Sequence, residues 1–351
     1  MKKINIGIVG GGFNGQIGFI ENFYKNKKCK IFGLAEARPI LRKKVAKKYK
    51  IPHTYKSHYD LIRDIKKFDG IVIVTKRNMI GPLSKEFLKL GKPILTEKPM
   101  AGNYNQALKL IKVAKKFKTP HKIGYNKIFD EGVVQAKSIF KKFVKNKKLG
   151  NVVLIKSHRL SGSGYDSNNF YIKTKEKNSL SEPSWIIQPK WLPGRFQKSY
   201  DKYLNLYCHN LSLLRFFIEE DPVVKYANLS DNKMSIVDLK YKNFNAILET
   251  GFFIKKGWDE TFEIYFEYGS IKINLPPQHY KNISANFIVE NRKLKKKYIY
   301  NSKKSWSFKN QADNFISDII KKKILINKNI DGVKDIKIVE NIWKKNIKND
   351  L

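Results

Sequence analysis

Apolar and polar positions alternate in two different ways along the chain. Over residues 1–126, short apolar runs are separated by amphipathic segments with the spacing of helices. The apolar runs predict buried strands at Ile4–Val9, Lys30–Ala35, Gly70–Val74, Pro93–Thr96 and Lys122–Tyr125. Strands that alternate with helices in this way form a parallel, doubly wound sheet.

The pattern changes near residue 150, where the predicted strands become longer. They cover 151–160, 237–255 and 261–275, and the second of these turns back at Lys242–Asn243. Such strands are typical of an antiparallel meander, and the C-terminal segment reads as helices. The sequence therefore predicts an α/β domain over 1–126 and an α+β domain with an open, mainly antiparallel sheet over 127–351.

The composition indicates a globular protein with an extreme charge. Hydrophobic residues make up 42% and aromatic residues 13% of the chain, which argues against disorder. A formal net charge of +41 would ordinarily indicate nucleic acid or an anionic membrane as the partner. However, only eight of the 71 basic residues are Arg, and the lysines recur on helical faces such as 41–50 and 109–118. We therefore predict no specific nucleic-acid partner, while anionic small substrates remain suitable.

Cysteine usage and hydropathy indicate a cytoplasmic protein. Cys29 and Cys208 are too few for a disulfide framework, and neither has an activating or metal-binding motif. The first apolar run is too short for a secretory signal, and no run reaches the roughly 18 residues of a membrane span. His53 and His58 lack a carboxylate set around them, so no metal site is predicted.

The segment IGIVGGGFNGQIG contains the first candidate site. Gly10, Gly12 and Gly15 match GxGxxG directly after the first predicted strand, at the start of a helix. The first glycine permits a tight turn, the second lets the backbone approach a pyrophosphate, and the third lets helix and strand pack closely. We assign Phe13 and Asn14, which lie in the same turn, to this dinucleotide site. A glycine-rich turn without a ligand is the alternative.

Glu36 ends the second predicted strand, 21 residues after Gly15. A carboxylate at this place accepts hydrogen bonds from the adenosine ribose and repels the 2′-phosphate of NADP. Arg38, two residues later, would instead accommodate that phosphate. The sequence favours NAD as the cofactor, with NADP the less favoured choice.

The glycine motif, Glu36 and the tripeptide Glu97-Lys98-Pro99 occur in the order that is found in the Gfo/Idh/MocA oxidoreductases. The chain resembles this family, which includes glucose-fructose oxidoreductase and inositol dehydrogenase, over most of its length, in segments 74–103, 122–132 and 205–217. The resemblance implies an NAD(P)-binding Rossmann domain over 1–126 and a substrate and oligomerisation domain over 127–351.

The resemblance implies a role for Lys98 in catalysis. Lys98 matches the lysine that lies beside the nicotinamide and the reacting sugar hydroxyl. Alcohol oxidation needs a group that takes the hydroxyl proton, and lysine does so near neutral pH only when burial or a neighbouring cation lowers its pKa. Glu97 would position the nicotinamide ribose. The alternative is that Glu97 and Lys98 form an ordinary surface pair.

The family also places an Asp and, four residues later, a His on a helix that faces the nicotinamide. His209 matches this His, whereas Asn205 stands where the Asp is expected. Asn can orient an imidazole or a hydroxyl but cannot carry charge, so the usual proton relay is altered. The helix is similar to those of a subgroup found with surface-polysaccharide genes, in which Asn205 would be a subgroup trait. Without the resemblance, we would interpret His209 as a structural residue of the helix.

Further site residues follow from the same resemblance. Thr75 and Asn78 would lie along the cofactor with Asn126, and Tyr125 and Lys127 would approach the substrate from the sixth strand. The chain departs from many relatives at three positions, where it has Lys76, Ile80 and Ile128 in place of Pro, His and Arg.

A segment rich in Gly, Ser and Pro, 161–205, separates two parts of the second domain. Long loops of this kind in compact domains often act as lids. Tyr171 and Trp191 would suit the apolar faces of a sugar, and Arg195 would suit a phosphate or carboxylate. The alternative is that these residues simply pack the loop onto its domain.

These features predict an NAD-dependent oxidoreductase that transfers hydride between the carbinol carbon of a sugar and nicotinamide. A nucleotide-linked sugar, an acidic sugar or a cyclitol would suit the basic chain, with a role in surface-polysaccharide biosynthesis. Two alternatives remain: a glycosidase that oxidises its sugar transiently with NAD, and a non-catalytic regulator that binds NAD and sugar. The resemblance implies a homodimer or homotetramer.

Overall fold

The computed structural model describes residues 3–162, 170–177, 183–230, 234–252, 257–322 and 330–349. The chain forms two compact units. The first comprises 1–124, 169–192 and 308–336, and the second comprises 125–168, 193–307 and 337–351. Two later segments of the chain therefore complete the N-terminal unit. The division into domains at residue 126 stays a prediction.

The first unit contains a sheet of six parallel strands. These are β1 (Ile4–Val9), β2 (Cys29–Ala35), β3 (His53–Tyr55), β4 (Gly70–Ile73), β5 (Ile94–Thr96) and β6 (His121–Ile123). Their order is β3-β2-β1-β4-β5-β6. The predicted parallel sheet is confirmed, and its strand order reverses between β1 and β4, where α/β sheets bind ligands beyond the carboxyl ends of the strands.

Helices connect the strands of this sheet. They are α1 (Glu21–Lys25), α2 (Pro39–Lys48), α3 (His58–Arg63), α4 (Arg77–Leu88) and α5 (Tyr104–Lys116), and a π-helical segment, Gly15–Ile20, leads into α1. All residues of β4 and β5 are buried, as expected for parallel strands covered on both faces.

The second unit contains a sheet of eight strands. These are β7 (Val152–Ser161), β8 (Val223–Asn228), β9 (Met234–Lys240), β10 (Asn245–Phe252), β11 (Trp258–Phe266), β12 (Gly269–Asn274), β13 (Asn286–Asn291) and β14 (Lys296–Asn301). Their order is β14-β13-β12-β11-β7-β10-β9-β8. Only the β10–β7 pair is parallel, so the predicted open, mainly antiparallel sheet is confirmed.

Four more helices are α6 (Glu131–Asn146), α7 (Gln197–Phe217), α8 (Ser307–Ile320) and α9 (Ile330–Asn349). The predicted loop 161–205 is too long, because residues 197–205 already belong to α7. This part of α7 is helical because Tyr200, Tyr203 and Leu204 repeat at helical spacing and are fully buried, with both tyrosine rings near Trp343. No helix in the described part of the chain is long and apolar enough to cross a bilayer.

Candidate cofactor and catalytic site

The turn after β1 requires glycine at two positions. Gly10 has a φ of +102°, and a Cβ atom there would overlap the carbonyl oxygen of Val74. A Cβ atom on Gly15 would lie 2.5 Å from the carbonyl oxygen of Gly10 and would push the helix away from the strand. At Gly12, the nearest atom to a Cβ would be Arg38 Nη2 at 3.6 Å, so the backbone is open to a ligand. These are the close approaches of a dinucleotide-binding turn.

Glu36 follows β2 and directs its carboxylate at this turn. Its Oε2 accepts hydrogen bonds from the Gly11 amide at 2.8 Å and from Arg38 Nη2 at 3.0 Å. Its Oε1 accepts from the Arg38 amide at 3.1 Å and from Arg38 Nε at 2.8 Å. These four bonds fill the roughly four acceptor positions of a carboxylate. A ribose hydroxyl therefore reaches Glu36 only by replacing a hydrogen bond from Arg38.

The charge of Glu36 is stabilised where it lies. Burial acts to raise the pKa of this carboxyl, but the hydrogen bonds from Arg38 and Gly11 outweigh burial and lower it. The same pair raises the pKa of Arg38. Both groups are thus charged at neutral pH.

Two side-chain oxygens near the glycine turn are buried without a hydrogen-bond partner among the described residues. They are Asn14 Oδ1, just before Gly15, and Thr75 Oγ1, just after β4. A buried polar atom that lacks a partner costs about 1–3 kcal/mol. A dinucleotide supplies hydroxyl and amide donors that would relieve this cost, so the turn and its neighbours fit the cofactor that the sequence predicts.

Glu97 and Lys98 directly follow β5. Glu97 is 6% exposed, and its Oε2 accepts a hydrogen bond from the Lys98 amide at 2.7 Å. Burial raises the pKa of Glu97, and the charge and amide of Lys98 offset this only in part. The side chain of Lys98 is half-buried. The burial of Glu97 therefore argues against the alternative that Glu97 and Lys98 form an ordinary surface pair.

The topology brings these residues to one edge of the sheet. β1, β4 and β5 are neighbours, and all three run parallel. Gly10, Thr75 and Glu97 follow their carboxyl ends within two residues. Asn78 lies at the start of α4, where its carbonyl oxygen accepts a hydrogen bond from the Trp185 amide at 2.8 Å.

Sequence reasoning missed that residues 170–177 and 183–192 return to this unit. The ring of Tyr171 lies edge-on to Phe13, with 4.8 Å between centroids. Gln16 exchanges two hydrogen bonds with the backbone of Ile172, at 2.8 and 3.0 Å. Tyr171 was predicted to contact substrate, and the structure places it against the glycine turn. No local pattern signals these contacts, because the partners are more than 150 residues apart in the chain.

In the second unit, Tyr125 and His209 come together. The two rings are edge-on, with 6.5 Å between centroids, and His209 is 2% exposed. Asn205 lies one helical turn earlier on α7 and is half-buried. β7 holds this helix in place, because Arg159 Nη1 donates to the Leu206 carbonyl at 2.6 Å.

Asn126 and Lys127 are also buried in the second unit. Asn126 Nδ2 donates to Ser307 Oγ at 2.9 Å, while its Oδ1 has no partner in the described part of the chain. Lys127 is 3% exposed and forms an ion pair with Glu260. Burial lowers the pKa of Lys127 to about 8, and Glu260 opposes this shift. The structure thus places Lys127 in a buried ion pair. The sequence analysis, which expects Lys127 to contact the substrate, does not predict this pair.

Trp191 and Arg195 are both exposed. The guanidinium of Arg195 lies 4.8 Å from the centroid of the Phe196 ring. Their contact with substrate stays a prediction.

The comparison with protein families agrees with this geometry. Residues 4–125 match the family model GFO_IDH_MocA, described as an oxidoreductase family with an NAD-binding Rossmann fold. Over these residues the chain is similar to the NAD-binding domain of the Gfo/Idh/MocA oxidoreductases, which agrees with a dinucleotide cofactor of the NAD(P) type. No curated protein sequence matches the chain.

Solved structures that are similar to this chain cover nearly its whole length. An aldose-aldose oxidoreductase from Caulobacter crescentus, complexed with glycerol, is 17% identical over 99% of this chain and 98% of its own, with a TM-score of 0.77. A levoglucosan dehydrogenase complexed with NADH and levoglucosan is 18% identical, with coverages of 99% and 98% and a TM-score of 0.76. A mutant of KijD10, a 3-ketoreductase from Actinomadura kijaniata complexed with TDP-benzene and NADP, is 13% identical, with 98% of each chain covered and a TM-score of 0.73. At these identities the likeness shows the fold, and the fold is found with either cofactor.

Proposed function

We propose that the protein is an NAD-dependent dehydrogenase that oxidises a hydroxyl-bearing carbon of a sugar or cyclitol. One observation carries the proposal: the glycine turn, the unpartnered oxygen of Thr75 and the Glu97–Lys98 pair all follow the carboxyl ends of three adjacent parallel strands. The names of two similar structures, an aldose-aldose oxidoreductase and a levoglucosan dehydrogenase, support a carbohydrate as the substrate.

The residues divide the chemistry as follows. Bound NAD would supply the acceptor for the hydride of the carbinol carbon. Lys98 accepts the proton of the reacting hydroxyl, and Glu97 orients the ribose next to it. His209 positions the substrate, because Asn205 gives its imidazole no charged partner that would stabilise the protonated form. Asn14 and Thr75 bind the cofactor through the oxygens that lack partners among the described residues.

The preference for NAD rests on Glu36. Its carboxylate is ionised at neutral pH, so it accepts from ribose hydroxyls and repels a 2′-phosphate. Isothermal titration calorimetry with NAD⁺ and NADP⁺ tests this preference. We expect tighter binding of NAD⁺, and equal or reversed affinities would contradict the role of Glu36. If neither cofactor binds, the proposal as a whole is wrong.

The substrate class is tested by net NADH formation. The panel contains free aldoses, aldonic or uronic acids, inositols and nucleotide-linked sugars, each incubated with NAD⁺ and purified protein. We expect turnover with at least one nucleotide-linked or acidic sugar, in keeping with the net charge of +41. Glycoside cleavage that depends on bound NAD without net NADH would instead indicate transient oxidation. Binding of NAD and sugar without either reaction would indicate a regulator, the alternative that Asn205 leaves open.

A further inference from the structure

We name residues 170–177 the strap. The strap contacts other parts of the first unit near both of its ends. Near its start, Tyr171 packs against Phe13. The backbone of Ile172 forms two hydrogen bonds with the side chain of Gln16, in the π-helical segment that begins at Gly15. Near its end, Glu176 reaches the start of α2. The strap therefore runs from the glycine turn to the helix that follows β2.

Glu176 caps α2 from outside the helix. Its Oε1 accepts a hydrogen bond from the Ile40 amide at 2.8 Å, and its Oε2 accepts from the Leu41 amide at 2.9 Å. Arg38, at the N-cap position, makes no side-chain capping bond of its own. The free amides at the start of a helix attract anions, so a carboxylate is held here by both geometry and charge.

Arg38 lies between two carboxylates. It donates a hydrogen bond to Glu36. It also lies close enough to Glu176 that the charge of each of these two residues shifts the pKa of the other. Desolvation acts to raise the pKa of Glu176, but the Ile40 and Leu41 amides and the charge of Arg38 outweigh it and lower the pKa. Glu176 is therefore an anion at neutral pH.

The same donors would attract a 2′-phosphate on the adenosine ribose. In this fold the ribose lies at the end of β2, and a nearby Arg accommodates the phosphate. Here the nearby Arg is Arg38, and the amide donors next to it are those of Ile40 and Leu41. All of these already bind protein carboxylates.

We propose that Glu176 is a specificity-determining residue whose carboxylate occupies the place of the 2′-phosphate and thereby excludes NADP. This inference rests on the proposed binding of NAD and deepens it, because Glu36 is then one of two carboxylates that select the cofactor. The strap also carries Lys173, Lys175 and Lys177, all exposed. Once Glu176 is neutralised, these lysines and Arg38 leave a cationic environment that favours a phosphate.

The test is calorimetry of NAD⁺ and NADP⁺ binding to the full chain and to Glu176→Gln. The substitution keeps the shape of the side chain and removes its charge. We expect NADP⁺ to bind to Glu176→Gln about tenfold more tightly than to the unchanged protein, a gain of about 1.4 kcal/mol in binding free energy. The affinity for NAD⁺ should be unchanged. Glu86→Gln is the matched control, because it makes the same change in net charge at an exposed pair with Lys89. It should alter neither affinity.

A second variant, Glu176→Asp, separates charge from capping. It keeps the negative charge on a shorter side chain, so NADP⁺ should stay weakly bound even if the melting temperature falls. The proposal is overturned if Glu176→Gln binds NAD⁺ normally without a gain in NADP⁺ affinity, or if both variants gain equally. It is also overturned if the unchanged protein prefers NADP⁺. Failure of the unchanged protein to bind either nucleotide would identify the proposed function as the error.

Discussion

Lys98 directly follows a buried carboxyl, Glu97, whose pKa is raised by burial. If Lys98 takes the hydroxyl proton, Lys98→Met should lower kcat by about 10²- to 10⁴-fold, the usual contribution of a general acid or base. NAD affinity should stay nearly intact, because the proposed cofactor contacts are the glycine turn and Glu36. Single-turnover hydride transfer across pH is the measurement. Lys92→Met, just before β5, is the control and should react normally.

His209 should behave differently from Lys98. Because Asn205 cannot carry charge, we expect His209→Asn mainly to raise KM, which is the effect of lost binding shared by ground and transition states. The same single-turnover experiment compares the two variants. If His209→Asn abolishes chemistry while Lys98→Met does not, the two roles are assigned the wrong way round.

The buried pair of Lys127 and Glu260 gives a prediction about stability. Lys127→Met leaves the Glu260 carboxylate buried and without its cation, which should cost about 3–5 kcal/mol of unfolding free energy. The double variant Lys127→Met/Glu260→Leu should recover most of this loss, because apolar residues can replace a buried ion pair. Urea unfolding measures both.

The control for this pair lies on neighbouring strands. Lys272 and Glu263 form a more exposed ion pair at 3.0 Å, so Lys272→Met should cost about 1 kcal/mol or less. If the double variant at Lys127 and Glu260 is as unstable as Lys127→Met, then lost packing and not the unpaired charge causes the effect.

At the scale of elements, Asp130 joins α6 to a distant loop. One of its oxygens accepts hydrogen bonds from the amides of Gly132 and Val133 in the first turn and from the amide of Ala285 at 3.0 Å. Asp130→Ala should therefore cost about 2 kcal/mol, the upper part of the range for a lost cap. Asp130→Asn keeps an acceptor oxygen and should cost less. Thermal and urea unfolding measure both, with Asn103→Ala at the α5 cap as the comparison.

The pKa of Asp130 adds a pH dependence to this prediction. Burial raises its pKa, and the three amides offset this only in part. The folded protein therefore binds the proton more readily than the unfolded chain, so the stability from Asp130 is present at low pH and is lost as pH rises through the folded pKa. The unfolding free energy of the unchanged protein relative to Asp130→Asn should fall with rising pH in this range. A constant difference would contradict the assignment.

Which elements the sequence predicts depends on burial. β1, β4 and β5 are predicted correctly because most of their residues are buried and apolar. β8 and β14 form the edges of the second sheet and are mostly exposed, so their residues show no apolar pattern. The sequence predicts a loop over the first turns of α7, because polar residues separate the tyrosines that the structure buries.

The residues of the candidate site also fall into those that the local sequence predicts and those that it does not. The glycines, Glu36 and the residues after β5 lie next to the strands that position them, so their spacing predicts their place at one edge of the sheet. The strap is positioned by Gln16 and by the amides of Ile40 and Leu41, which no local pattern connects to residues 170–177. The burial of Lys127 likewise depends on Glu260, 133 residues away.

At the scale of the whole molecule, the net charge of +41 must affect association with polyanions. The 71 basic residues are mostly lysines, which occur on the exposed faces of several helices, as in α2 and α5. Such a distribution binds phosphates through counterion release and reads no base sequence. We therefore expect weak DNA and RNA binding that is independent of sequence and that is lost as salt increases.

Fluorescence anisotropy with a duplex and its scrambled counterpart, titrated at several salt concentrations, tests this expectation. The two affinities should agree at each salt concentration, and the logarithm of the affinity should fall linearly with the logarithm of salt concentration. Heparin, a polyanion without bases, should compete as well as nucleic acid. A sequence-selective complex that persists at physiological salt would contradict the prediction, because a scattered charge cannot distinguish bases, and would require a recognition surface in addition to the dehydrogenase site.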